Sequence, residues 1–354
     1  MNRAACIISL LLLTLVSTRA DSVDEFIRNE MRQHRIPGVN LRVLQEGKPT
    51  KIASYGLANL ELQVPVKPET VFEIGSISKQ FAAAAILILA QEGRLSLEDH
   101  ISQYLKNTPD SWSGISIRHL LTHTSGIVSY TGLDGFELTK HLTQAQFITA
   151  IGARPLEFSP GDSFKYCNTG FNLLGFIVEN VSGEKYWDFL HHRIFKPLEM
   201  LRTQDRLPRS IIPDRAAGYE QTNRVHINRD YDLTDVFSAG ALVSTTEDLA
   251  KWNNALDTEI LLSNATKTRM WTPAKLNSGQ STKYGFGWFI DSVQGHKNIG
   301  HGGSTSGFSA SIQRFPDDHL AVILLTNTDE QIATTLARKV AALYFGDKSD
   351  KAPR

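Results

Sequence analysis

Phe72-Glu-Ile-Gly-Ser-Ile-Ser-Lys-Gln-Phe81 runs directly into Ala82-Ala-Ala-Ala-Ile-Leu-Ile-Leu-Ala-Gln-Glu-Gly93, and the rest of the chain is read outward from this stretch. From Lys79 to Glu92 there is neither proline nor glycine, and every residue from Phe81 to Ala90 is apolar. The pattern predicts one helix, buried all round because it is apolar all round, with Gly93 closing it as the C′ residue. Ser76 and Lys79 stand three apart at its start, so they share a face and the lysine stem can reach the hydroxyl. Unpaired N–H groups at a helix N-terminus favour an anion at Ser76 and disfavour a charged Lys79. Burial pushes the lysine the same way, towards a neutral amine that can accept a proton. A serine with no histidine beside it needs such a base. The spacing alone is common, however, and a serine that merely caps the helix satisfies it equally. A second S-x-x-K, Ser182-Gly-Glu-Lys185, lies in a glycine turn after a helical run.

Residues 1–20 carry the pattern of a secretory signal peptide. Arg3 precedes an apolar run from Ala4 to Val16, and Thr18-Arg-Ala20 fits a cleavage site. The run is too short for a membrane span, and Cys6 lies too early in it for a lipid-anchor cysteine. The expectation is a secreted or periplasmic protein without stable membrane insertion. Removing Arg3 and Arg19 from the 37 basic residues leaves 35 against 37 acidic ones, a net charge of about −2. Nothing in that balance attracts nucleic acid. Cys167 is then the one remaining cysteine, so no intrachain disulfide forms and stability rests on a core.

An amphipathic helix is predicted from Asp21 to Arg35, then a hairpin of Val39–Leu44 and Lys51–Tyr55 turning at Glu46-Gly-Lys48. Between about 80 and 235, helical spacing dominates: His119 to Gly126, Leu142 to Ile151, Phe171 to Val181 and Trp187 to Ile194. Strands follow at Gly285–Asp291, Lys297–Gly300, Phe308–Arg314 and Leu320–Thr326. A helix from Gln331 to Phe345 closes the chain, with Ile332, Leu336, Val340 and Leu343 inward. The fold class read from this is α+β. The chain ends (21–79 and 236–346) build an antiparallel sheet flanked by helices, and an all-helical lobe (80–235) is inserted between them. Residues 21–354 make one catalytic domain whose cleft lies between the lobes.

Tyr166-Cys-Asn168 is the only Y-x-N in the chain and stands where a helix would begin. A tyrosine beside a lysine can pass a proton, and an asparagine amide offers both a donor and an acceptor. His301-Gly-Gly303 opens a predicted strand turn in which bare backbone can meet a substrate.

With these three motifs in order, the chain resembles the serine β-lactamase and penicillin-binding-protein superfamily, in particular its class C β-lactamase, DD-carboxypeptidase and esterase branch. Its signatures are S-x-x-K, Y-x-N and K/H-[TSG]-G. Leu120-Leu-Thr-His-Thr-Ser-Gly126, Pro160-Gly-Asp162 through Leu173-Leu-Gly175, Ser238-Ala-Gly-Ala-Leu-Val-Ser-Thr245 and Tyr284-Gly-Phe-Gly-Trp288 extend the likeness over almost the whole chain after residue 20. The resemblance implies that Ser76 is acylated, that Lys79 and Tyr166 manage the proton with either as base, and that Asn168 holds Lys79 and the substrate amide. It implies an oxyanion hole from the backbone N–H groups of Ser76 and Ser304, no cofactor and no metal. The substrate would be a D-amino-acid peptide, a β-lactam or an ester. Two departures stand out. His301-Gly302-Gly303 replaces Lys-Thr-Gly, which weakens carboxylate binding and favours a peptidase, amidase or esterase over an efficient β-lactamase. Cys167 replaces a small residue such as serine, and reads as a buried filler.

Two other classes compete. A metal site could use His119 and His123, four apart, with His191, His192, His296 and His301 as further candidates; no H-E-x-x-H accompanies them. A binding module that retains the pocket without turnover would keep the same residues. No G-x-S-x-G elbow of an α/β-hydrolase is present.

Overall fold

The computed structural model describes residues 22–134, 136, 140–229 and 231–345. The signal-peptide reading at residues 1–20 lies outside them. No helix among the described residues is long and apolar enough to cross a membrane.

A seven-stranded antiparallel sheet forms the frame, in the order Val64–Pro65, Lys48–Asn59, Gly38–Gln45, Leu320–Thr326, Phe308–Phe315, His296–Thr305, Phe289–Val293. The two ends of the chain meet at its centre, where Val39 opposes Thr326 and Val43 opposes Val322. Leu320–Thr326 is buried throughout, as its unbroken apolar run requires of a strand covered on both faces. Val322 and Leu324 pack with Val23, Ile27, Leu336 and Val340 of the first and last helices. Ala321, Ile323 and Leu325 point the other way, into the main core. The hairpin turns through Glu46 (φ 49°) and Gly47 (φ 71°), the left-handed pair that a two-residue turn needs.

The central helix spans Ser78–Gln91 and buries Ser78 through Leu89 without interruption, as predicted. Gly93 follows at φ 70°. Helices Asn168–Ser182 and Gln144–Gly152 correspond to predicted segments. The middle of the chain is not helical alone: Gln204–Asp205 joins Leu242–Ser244 and Phe72–Glu73 in a small sheet, and Tyr219–Thr222 pairs with Val225–Asn228.

Several boundaries differ from the sequence reading. The helix near His119 covers only Ile117–Leu121 and ends before His123, which takes a left-handed φ of 58°. Gly285 to Trp288 is a turn around Gly287 (φ 78°), so the outer strand starts at Phe289. His301-Gly-Gly303 lies inside the strand His296–Thr305 rather than at a turn. The last helix runs Ala333–Ala342, leaving Leu343 38% exposed instead of inward.

Candidate active site

Ser76 sits in a short 3-10 turn, Gly75–Ile77, at the mouth of the central helix. Neither this turn nor the helix has a side-chain cap, so the Ser76 hydroxyl is not spent on capping. Gly75 takes φ +49°, and a side chain there would stand 2.6 Å from Ser304 N. A Cβ on Gly303 would fall 1.9 Å from Ile74 O and 2.9 Å from Ser76 N. Bare backbone at both glycines lets the serine turn lie directly on the strand His296–Thr305, which brings the amides of Ser76 and Ser304 into one neighbourhood.

Lys79 is completely buried and has three oxygen neighbours: Ser76 Oγ at 3.0 Å, Asn168 Oδ1 at 2.7 Å and Ala239 O at 2.6 Å. Burial lowers its pKa to about 7. In the neutral form, two N–H bonds to Asn168 and Ala239 leave the lone pair for the Ser76 hydroxyl. Ala239 is held in turn, its N–H donating to Asn172 Oδ1 at 3.2 Å. The Asn168 amide also donates to Thr131 Oγ1 at 3.1 Å, and its backbone N–H donates to Ser129 Oγ at 3.1 Å.

The Tyr166 ring centroid lies 4.9 Å from Lys79 Nζ. Its buried hydroxyl faces Ser76 and meets no partner within hydrogen-bonding geometry among the described residues. Burial pushes the phenol well above its ordinary pKa, and the Ser76 hydroxyl beside it acts in the opposite sense. His123 packs behind, its ring 4.3 Å from that of Tyr166, and its Nδ1 accepts the Cys167 N–H at 3.1 Å. Cys167 itself is buried, and its thiol is raised to about 11 by that burial. It is a filler, as expected, with Sγ on Ile127 O.

His301 is buried between Tyr284, whose hydroxyl lies 3.0 Å from Nε2, and the Gly302 carbonyl, which Nδ1 meets. With Nδ1 donating and Nε2 accepting, both ring nitrogens are engaged in the neutral tautomer. Burial, then the nearby Lys79, lowers its pKa to about 3. It therefore presents no cation to the cleft.

Ser76, Tyr166 and His301 line one opening of about 510 Å³, with Phe289, Ser304 and Arg338 also on its walls. A larger recess, about 690 Å³ around Arg314 and Trp271, lies away from this nucleophile and its base. The histidines considered as metal ligands do not converge. His119 Nδ1 accepts from Ser116 N, whereas His123 turns to Cys167. Among the described residues no group of three metal-binding side chains assembles. Sequence reasoning passed over Thr131, Ser129, Ala239 and Tyr284 as site residues. Two of them fall in the stretches Ser238–Thr245 and Tyr284–Trp288, whose likeness to the superfamily was the available signal.

The family described as Beta-lactamase matches residues 23–345. The chain belongs to the Beta-lactamase family. Penicillin-binding protein 4* of Bacillus subtilis (strain 168) is 31% identical over 84% of this chain and 70% of its own length. An octameric penicillin-binding protein homologue from Pyrococcus abyssi superposes with a TM-score of 0.81 at 28% identity, covering 94% of this chain and 78% of that one. A D-stereospecific amidohydrolase from a Streptomyces species gives 0.76 at 26% identity, covering 88% and 95%. The β-lactamase-like fold and the penicillin-binding-protein kinship expected from the three motifs are therefore those of this chain.

Proposed function

We propose that this Beta-lactamase family member is a serine hydrolase that cleaves an amide or ester through an acyl-enzyme on Ser76. One observation carries the reading: a buried amine whose pKa is lowered to about 7 stands 3.0 Å from an uncapped serine hydroxyl at the floor of a cleft. The Ser76 Oγ–C bond forms as the hydroxyl proton passes to Lys79 Nζ. The resulting oxyanion is received by the N–H groups of Ser76 and Ser304, each such donor typically worth about 3 kcal/mol. Tyr166 keeps its proton at neutral pH, because burial raises its pKa. It therefore serves as the relay that returns a proton from Lys79 to the departing amine or alcohol, while Lys79 is the base. Water then attacks the acyl-enzyme by the same route, and the acid leaves. Asn168 holds Lys79 through its oxygen and retains one amide N–H for the substrate.

The engaged, neutral His301 supports substrates without a carboxylate at that position, hence D-amino-acid amides, peptides or esters ahead of β-lactams. The likeness to a D-stereospecific amidohydrolase agrees with this. The pattern of residues 1–20 supports export to the periplasm or medium.

A kinetic panel tests the proposal: nitrophenyl esters, D-amino-acid amides, a D-Ala-D-Ala peptide and nitrocefin, each with wild type and Ser76→Ala. Turnover of an ester or amide that disappears in Ser76→Ala is expected. Penicillin bound as a stable adduct with no turnover of anything would establish the binding-module alternative instead.

A further inference from the structure

The two amides assigned to the oxyanion hole belong to chain segments far apart in sequence, so a tertiary contact must set their spacing. The backbones meet through Gly75 and Gly303 with no side chain between them. A side-chain hydrogen bond spans the same two segments: Thr305 Oγ1 donates to Glu73 Oε2 at 2.7 Å. Glu73 lies three residues before Ser76, and Thr305 is the residue after Ser304.

Glu73 is itself fixed from two sides. Its backbone lies in the strand Phe72–Glu73, opposite Val243. Its carboxylate is buried and faces Arg206 Nε at 3.4 Å, with both side chains under 10% exposed. A buried carboxylate is retained only where a counter-charge and hydrogen bonds compensate its lost hydration. Arg206 supplies the charge, and the Thr305 hydroxyl supplies a bond. The main-chain geometry of Thr305 thereby restrains Ser304, whose N–H must point at a developing oxyanion rather than at the ground-state carbonyl.

We propose that Glu73 and Thr305 are positioning residues that set the distance between the Ser76 and Ser304 amides, with Arg206 holding Glu73 in place. The inference rests on the acyl-enzyme reading above. It explains why a charged side chain sits in the otherwise apolar surroundings of Phe72, Ile74 and Ile77. A hydroxyl lost from position 305 costs transition-state stabilisation and leaves substrate binding alone, because neither side chain is a catalytic residue.

Thr305→Val is nearly isosteric and removes only the donor, whereas Thr305→Ser retains it. The full chain and both variants are compared for kcat and KM on a nitrophenyl ester and for the rate of labelling by a fluorophosphonate probe. Thr305→Val is expected to lower kcat and the labelling rate about tenfold, a fraction of the 10²–10³ that outright loss of an oxyanion donor costs. KM stays within about twofold, the shape of the pH profile is unchanged, and Thr305→Ser restores the rate. Wild-type kcat in Thr305→Val, or a Thr305→Ser variant as slow as Thr305→Val, overturns the inference while the acyl-enzyme reading stands. A wild-type chain that no probe labels overturns both.

Discussion

The Lys79 amine meets the Ser76 hydroxyl at 3.0 Å, and its other two hydrogen-bonding directions are taken by Asn168 and Ala239. Only the deprotonated amine can receive the serine proton. Since burial sets that deprotonation near pH 7, kcat/KM is expected to rise about tenfold per pH unit below 7 and to level off above it. Lys79→Met is expected to lower acylation by about 10³-fold, within the usual range for a general base, and to remove the inflection. A pH–rate profile of wild type and variant checks both.

His301 makes acid the weak side of the fold. Its folded-state pKa, about 3, lies below its unfolded value, so between pH 3 and about 6.5 the unfolded chain binds more protons. Stability contributed by the neutral ring is complete above that window and is lost as pH falls through it. Between pH 6.5 and 4.5 the loss amounts to about 2–3 kcal/mol for this residue. His123, buried and also held well below its ordinary value, adds to it. Urea midpoints at pH 7.5 and 4.5 are expected to differ less in His301→Asn than in wild type.

Neighbouring glycines in the strand His296–Thr305 should respond unequally to a methyl group. At Gly302 a Cβ meets the movable Thr334 hydroxyl at 2.5 Å, but at Gly303 it meets the Ile74 carbonyl at 1.9 Å. Gly302→Ala is expected to keep near-normal activity. Gly303→Ala should lose activity by at least 10²-fold and stability by about 1–3 kcal/mol, as overpacking does. Thermal melts with ester kinetics on the two variants separate the cases.

Much of this site was legible in the sequence because its residues come in short motifs with local reasons. The apolar run after Lys79 announces a buried helix, and burial announces a perturbed lysine. The strands Gly38–Gln45 and Leu320–Thr326 follow from period and composition. What stayed hidden depends on where distant segments land. Ala239 contributes a backbone carbonyl, which no side-chain motif marks. Glu73 and Thr305 carry no local motif, and only the hydrogen bond between their two segments brings them together. His301 read as an open histidine at a turn, because nothing local shows that Tyr284 reaches its Nε2. The extended helix near His123 failed for a backbone reason, a left-handed residue that is not glycine.

The proposed hydrolase activity depends on covalent acylation of Ser76, activated by Lys79. Incubation of the folded chain with a fluorophosphonate probe, followed by intact-mass measurement and peptide mapping, tests it most directly. One adduct per chain on Ser76, slowed in Lys79→Met and absent in Ser76→Ala, is the expected result. A folded wild-type chain that stays unmodified, or an adduct on another residue such as Ser182, would contradict it.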